Sequence, residues 1–194
     1  IANLIENNPK SKFICGGEES YGFMKGDFVR DKDAITSSLL ACEIVAEAKS
    51  NKKSFFSILV DLYVKFGLFH DKLVSIQKKG KKGAEKIKNI MDGFRNQPPN
   101  LLDGSEIIII EDYLISQRYH VRLKELTEID LPKSNVLILI SADGTRVAIR
   151  PSGTEPKIKF YFSVNMKLTK SENYRTTKII LENKIKRILT EFDI

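Results

Sequence analysis

The chain has 194 residues, 42% of them hydrophobic, and its 32 basic and 25 acidic side chains leave a net charge of +7. That length and apolar content suffice for one or two domains with real cores, and no run of about 18 apolar residues predicts a membrane span. Cys15 and Cys42 lack CxxC spacing and are joined by only two histidines, a pattern that predicts a reduced, cytoplasmic protein without a zinc site.

In chain order, Phe13-Ile-Cys15 predicts a short strand, followed by the Gly-bounded segment Gly16-Gly-Glu-Glu-Ser-Tyr-Gly22. Glu18 and Ser20 are two residues apart, so an extended backbone projects both from one side and Glu19 and Tyr21 from the other. A carboxylate beside a hydroxyl suits adjacent sugar hydroxyls; a plain Gly-bounded loop is the alternative. Asp33 predicts the N-cap of a helix carrying Ile35, Leu39, Leu40 and Val45. Ser54 predicts the cap of a second helix, in which Phe55, Ile58, Leu59, Leu62 and Phe66 recur at helical spacing before Gly67 closes it. Residues 1–66 cannot complete a sheet alone and read as the tail of a larger α/β domain.

Residues 67–194 read as a second domain. Strand Leu73 to Lys78 precedes a helix with Ala84, Ile87, Ile90, Met91 and Phe94 on one face, broken at Pro98-Pro99. Strand Ile107 to Ile110, a polar stretch, and strand Val136 to Ser141 follow; Asp143-Gly144 predicts a turn into strand Thr145 to Ile149. The strand Ile158 to Val164 places Ile158, Phe160, Phe162 and Val164 on one face. A last helix, about Ser171 to Phe192, is expected to bury Ile179, Ile180, Ile185, Ile188 and Leu189. The expected fold class is therefore α/β plus α+β, the second domain being an antiparallel sheet covered by helices.

Arg150-Pro-Ser-Gly-Thr-Glu-Pro-Lys157 lies between the last two strands. A guanidinium offers two parallel donors to a phosphate, Ser152 and Thr154 add hydroxyl donors, and Gly153 lets backbone N–H groups approach an oxyanion. Pro151 and Pro156 keep the turn short. The alternative is a hairpin corner with an incidental basic residue. The lysine run Lys78-Lys-Gly-Lys-Lys82 has no interleaved aromatic residue for base stacking, and predicts a solvated surface rather than a nucleic-acid partner.

Taken together, GGEESYG with GDFVRDKDAI and RPSGTEPKIKFYF resemble the α-D-phosphohexomutase family, in its phosphoglucomutase branch, which also contains phosphopentomutases. Leu62-Tyr-Val-Lys-Phe-Gly67 and Pro132-Lys-Ser-Asn-Val136 add to the resemblance, which covers roughly residues 11 to 192. One departure is Gly17, a position that is usually aromatic in this branch. The resemblance implies that Glu18 and Ser20 hold ring hydroxyls of a phosphosugar, that Lys32 faces the ligand's phosphate region, and that Arg150, Ser152, Gly153 and Thr154 grip the phosphate that is not transferred. It also implies a TBP-like C-terminal domain, a catalytic phosphoserine, a magnesium ion held by an Asp-Gly-Asp-x-Asp motif, and a sugar 1,6-bisphosphate intermediate. Neither the Ser-His-Asn-Pro-like serine loop nor the acidic metal motif occurs in this sequence, since the Asp-Gly pairs at Asp92, Asp103 and Asp143 lack the following acidic residue. The expectation is a C-terminal piece without catalytic residues or a metal site, inactive alone, whose partners are the phosphosugar and the N-terminal domains of the same protein. Phosphomannomutase or phosphopentomutase activity, or a non-catalytic phosphosugar-binding module, are the alternatives.

Overall fold

The computed structural model describes residues 2–8, 10–17, 22–78, 80, 82–153 and 155–194. They form two compact units, Ile1–Asp61 and Leu62–Ile194, the division falling inside one helix.

In the first unit, α1 (Ala2–Asn7) is followed by the antiparallel pair β1 (Cys15–Gly17) and β2 (Phe23–Lys25). The strand expected at 13–15 is displaced to 15–17, because Gly16 and Gly17 pair with Met24 and Phe23 instead of opening a loop. Gly17 fits that pairing because it lacks a side chain: a Cβ there would lie 3.1 Å from both the Gly22 carbonyl oxygen and the Phe23 ring. Asp33 caps α2 (Ala34–Ser50), accepting from the Ile35 N–H at 2.9 Å and the Thr36 hydroxyl at 2.7 Å. A reciprocal pair, Ser54 Oγ with the Ser57 N–H and Ser57 Oγ with the Ser54 N–H, both at 3.0 Å, starts α3 (Phe55–Phe66). Gly67 then ends it at φ +98, a conformation that favours glycine. Ala48 and Val60 are buried, yet Ile35 is 82% and Leu39 59% exposed.

The second unit is one antiparallel sheet in the order β3-β10-β9-β8-β5-β6-β7, with β4 (Leu101–Leu102) pairing beside β5. Its other strands are β3 (Leu68–Gln77), β5 (Ser105–Asp112), β6 (Gln117–His120), β7 (Glu125–Glu128), β8 (Leu137–Ser141), β9 (Arg146–Pro151) and β10 (Lys157–Met166). Helices α4 (Lys82–Asn96) and α5 (Tyr174–Glu191) cover one face. Alternation decides that face: Val147, Ile149, Ile158, Phe160, Phe162 and Val164 are buried, and Phe94 and Phe192 meet edge-on with centroids 4.9 Å apart over Phe160.

Three expectations change. The polar stretch after β5 contains β6 and β7, of which β7 is the edge strand and β6 its neighbour; none of their residues is buried, so no apolar alternation marks them. β3 runs from Leu68 to Gln77 rather than from Leu73 to Lys78; Phe69 and Leu73 point to the uncovered side and are half exposed. In α5 the inward stripe is Thr177, Leu181, Lys184, Ile185 and Ile188, whereas Ile179 and Ile180 are exposed and Leu189 is only half-buried. The stripe closes because Lys184 forms an ion pair with Asp143 in the β8–β9 turn, which lets a cation occupy an inward position.

Candidate functional site

β9 and β10 flank the residues expected to cradle a phosphate. Their register sets Arg150 opposite Lys159 and Pro151 opposite Ile158. Since Ile149 is fully buried against the helices, alternation puts Arg150 on the uncovered face, with Lys159 beside it at the roughly 5 Å spacing of cross-strand neighbours. Lys159 was not singled out from the sequence, although its position in the alternating strand opposite Arg150 carries the signal. Among the described residues the Arg150 guanidinium has no acidic partner, so its charge is directed to whatever meets this face.

Ser152, Glu155 and Lys157 tie the connection between the two strands together. The Ser152 N–H donates to the Lys157 carbonyl at 2.8 Å, the Lys157 N–H to the Glu155 carbonyl at 2.7 Å, and the Glu155 N–H to Ser152 Oγ at 3.4 Å. Glu155 is ion-paired to Lys157, and the hydrogen bond and charge of Lys157, with the field of Lys159 added, hold its carboxyl below the usual range. The acidic residue of the loop is thus neutralised by its neighbour. Gly153 is exposed, and a Cβ on it would meet nothing within 4 Å, so the missing side chain leaves open space at the loop's tip. Thr154 lies outside the described residues.

On the helix side of the same loop is a cleft of about 690 Å³, lined by Ala84, Met91, Arg95, Asn135, Ser152 and Gly153 among others. Arg95 donates to Asp112 at 2.9 Å and to Asn135 at 2.6 Å, joining α4 to β5 and to the segment before β8.

In the first unit, Glu18 and Ser20 lie outside the described residues. Lys32 is described: it is exposed, its N–H donates to the Asp31 carboxylate at 2.7 Å and its ammonium lies 3.2 Å from it. With Gly16, Gly17, Gly22, Met24, Arg30 and Asp31 it lines a cleft of about 180 Å³ beside the β1–β2 pair. Arg30, which the sequence reading passed over, sits there too and reaches Glu6 at 2.5 Å. Among the described residues no group of three or more His, Cys, Asp or Glu side chains is arranged to hold a metal ion, so those residues do not fit a magnesium site. None of their helices is long and apolar enough to cross a membrane.

Residues 1–66 match the family description phosphoglucomutase/phosphomannomutase, alpha/beta/alpha domain III, and residues 120–173 match the C-terminal domain of the same family. The chain belongs to the phosphoglucomutase/phosphomannomutase family. A phosphoglucomutase from Staphylococcus epidermidis is 42% identical over 164 residues, covering 84% of this chain and 30% of that protein. One from Staphylococcus aureus is 42% identical over 151 residues, 78% of this chain and 27% of its own length. The chain therefore spans about 30% of the length of the curated relatives it matches. In the fold, the open form of pp63/parafusin, a phosphoglucomutase from Paramecium, matches 98% of this chain and 32% of its own, with a TM-score of 0.59 at 20% identity. The likeness covers both the α/β part and the antiparallel sheet, as the fold class expected.

Proposed function

We propose that this chain is the substrate-gripping C-terminal portion of a phosphoglucomutase that interconverts glucose 1-phosphate and glucose 6-phosphate through a sugar bisphosphate. Residues 67–194 hold the phosphate that is not transferred, through Arg150, Ser152, Gly153, Thr154 and, beside them, Lys159. Residues 1–66 read the sugar through Glu18 and Ser20, with Lys32 near the phosphate region. The observation that carries this reading is the pairing of an exposed Arg150 with a half-buried Lys159 on the uncovered face, beside a loop whose acidic residue is ion-paired. A phosphate dianion meeting two cations, the Ser152 hydroxyl and the Gly153 N–H gains charge-assisted hydrogen bonds that a neutral sugar does not.

The phosphoserine and the magnesium ion of such an enzyme belong to segments whose motifs this sequence lacks. Magnesium would supply charge stabilisation to the transferring phosphoryl group there. The free, exposed Cys15 and Cys42 fit a reducing compartment, which supports a cytoplasmic setting.

Specificity and charge recognition are separable by experiment. In the complete mutase, Glu18→Gln and Ser20→Ala should weaken glucose phosphate binding and leave inhibition by inorganic phosphate nearly unchanged, because a carboxylate accepts from sugar hydroxyls and repels phosphate. Arg150→Ala should weaken both. Equal losses for sugar phosphate and bare phosphate in Glu18→Gln would remove the hydroxyl-reading role. Parallel turnover of glucose, mannose and ribose phosphates distinguishes the phosphoglucomutase reading from its phosphomannomutase and phosphopentomutase alternatives.

A further inference from the structure

Lys78 and the first turn of α4 are built against the phosphate loop at Pro156. Lys78, the residue after β3, donates its N–H to the Pro156 carbonyl at 2.9 Å, and the Gly83 N–H donates to the Gly80 carbonyl at 2.8 Å as α4 begins. Gly83 is buried at this crossing. A Cβ on it would lie 1.9 Å from the Lys78 carbonyl oxygen, 2.9 Å from the carbon of that carbonyl and 3.3 Å from Pro156 Cβ. Real Cβ atoms essentially never come closer than 3.0 Å, and the obstructing oxygen belongs to the backbone rather than to the end of a flexible side chain. Any side chain at 83 must therefore displace the Lys78 peptide or the start of α4 by about 1 Å in a close-packed interior.

Lys78 holds Pro156 through its own N–H, and the loop is closed through Lys157, Glu155 and Ser152. The displacement is thus passed to the residues that face the ligand.

We propose that Gly83 is a positioning residue for the phosphate site: its missing side chain lets Lys78 clamp Pro156 and thereby fixes Ser152, Gly153 and Glu155 against Arg150 and Lys159. The inference rests on the reading of that loop as phosphate-binding. Helix propensity alone makes the opposite forecast. Alanine outranks glycine in helices, so a spare glycine in α4 should gain from the change, as Gly93 should, with nothing within 4 Å of its Cβ position.

The test is a titration of inorganic phosphate into the 194-residue chain, with the Kd read from the Ser152 and Gly153 amide shifts. Wild type is compared with Arg150→Ala, Gly83→Ala, Gly93→Ala and Lys78→Pro, the last removing the N–H that holds Pro156. A misplacement of about 1 Å is worth up to roughly a hundredfold, so Gly83→Ala and Lys78→Pro should each weaken binding about tenfold or more while Gly93→Ala binds as wild type. Wild type that does not bind, or Arg150→Ala that binds as wild type, overturns the phosphate reading itself. Weakened Arg150→Ala with wild-type affinity in Gly83→Ala and Lys78→Pro overturns only the positioning role. Should the two clamp variants not fold, wild type decides: saturating phosphate should slow hydrogen exchange at the Lys78 amide, and an unchanged rate overturns the clamp.

Discussion

Arg150 and Lys159 meet on the face of the sheet that no helix covers, and the two differ in kind. A guanidinium matches phosphate with a planar fork, whereas an ammonium acts as a point charge. Arg150→Ala should therefore weaken phosphosugar binding about 10- to 100-fold, the equivalent of 1.5–3 kcal/mol, and Arg150→Lys should recover only part of it. Calorimetric titration with glucose 6-phosphate checks this; Lys equal to Arg would contradict the bidentate role. At this scale much was legible beforehand, because Arg150, Ser152 and Gly153 stand within one short turn and their chemistry follows from residue type. Lys159 was not, since its relation to Arg150 is a matter of strand register. Gly83 was hidden for a similar reason: its constraint is a contact with Lys78 and Pro156 that no local pattern encodes.

Between elements, the Asp143–Lys184 pair fastens α5 to the β8–β9 turn. Burial on its own raises the Asp143 pKa, but hydrogen bonds from the Lys184 ammonium, the Ser141 hydroxyl and the Thr145 N–H outweigh it and hold the carboxyl well below the usual carboxylate range. A folded pKa below the unfolded one contributes stability that is complete above about pH 4 and is lost as the pH falls toward the folded value. Asp143→Asn should cost about 1–2 kcal/mol at pH 7, at the low end because solvent screens the carboxylate, and its deficit should shrink below about pH 4. Urea unfolding of both proteins at pH 7 and pH 3 measures this; a deficit that is the same at both would contradict it. The same pair explains why α5 was misjudged. A stripe drawn through isoleucines includes Ile179 and Ile180, whereas the helix turns toward Lys184, whose inward position depends on an acid 41 residues away in the chain. α4, where Ile87 and Met91 are buried and Phe94 half-buried although Ala84 is exposed, and β10, with strict alternation, were legible because one inward face dominates each. β6 and β7 were not, because none of their residues is buried and no apolar alternation marks them.

For the whole molecule, the two units differ in completeness. Leu62–Ile194 has a sheet, two covering helices and a continuous core, whereas in Ile1–Asp61 the apolar residues Ile35, Leu39 and Phe55 remain exposed. Exposed apolar helix faces of this kind suit the tail of a larger α/β domain, as the match of residues 1–66 to domain III supports. A polypeptide of residues 62–194 should unfold cooperatively by itself, and one of residues 1–61 should not; sharp transitions for both would contradict the difference. The 194-residue chain alone should not turn over glucose 1-phosphate, with or without magnesium and a bisphosphate primer, since the serine and metal motifs are absent from its sequence. Activity above a buffer control, in a preparation free of host mutase, would contradict that. The most direct measurement is an amide-shift titration of the chain with glucose 6-phosphate. Saturable shifts centred on Arg150, Ser152, Gly153 and Lys159 are expected, and should disappear in Arg150→Ala. Saturable shifts elsewhere with this loop silent, or shifts that survive Arg150→Ala unchanged, would contradict that expectation.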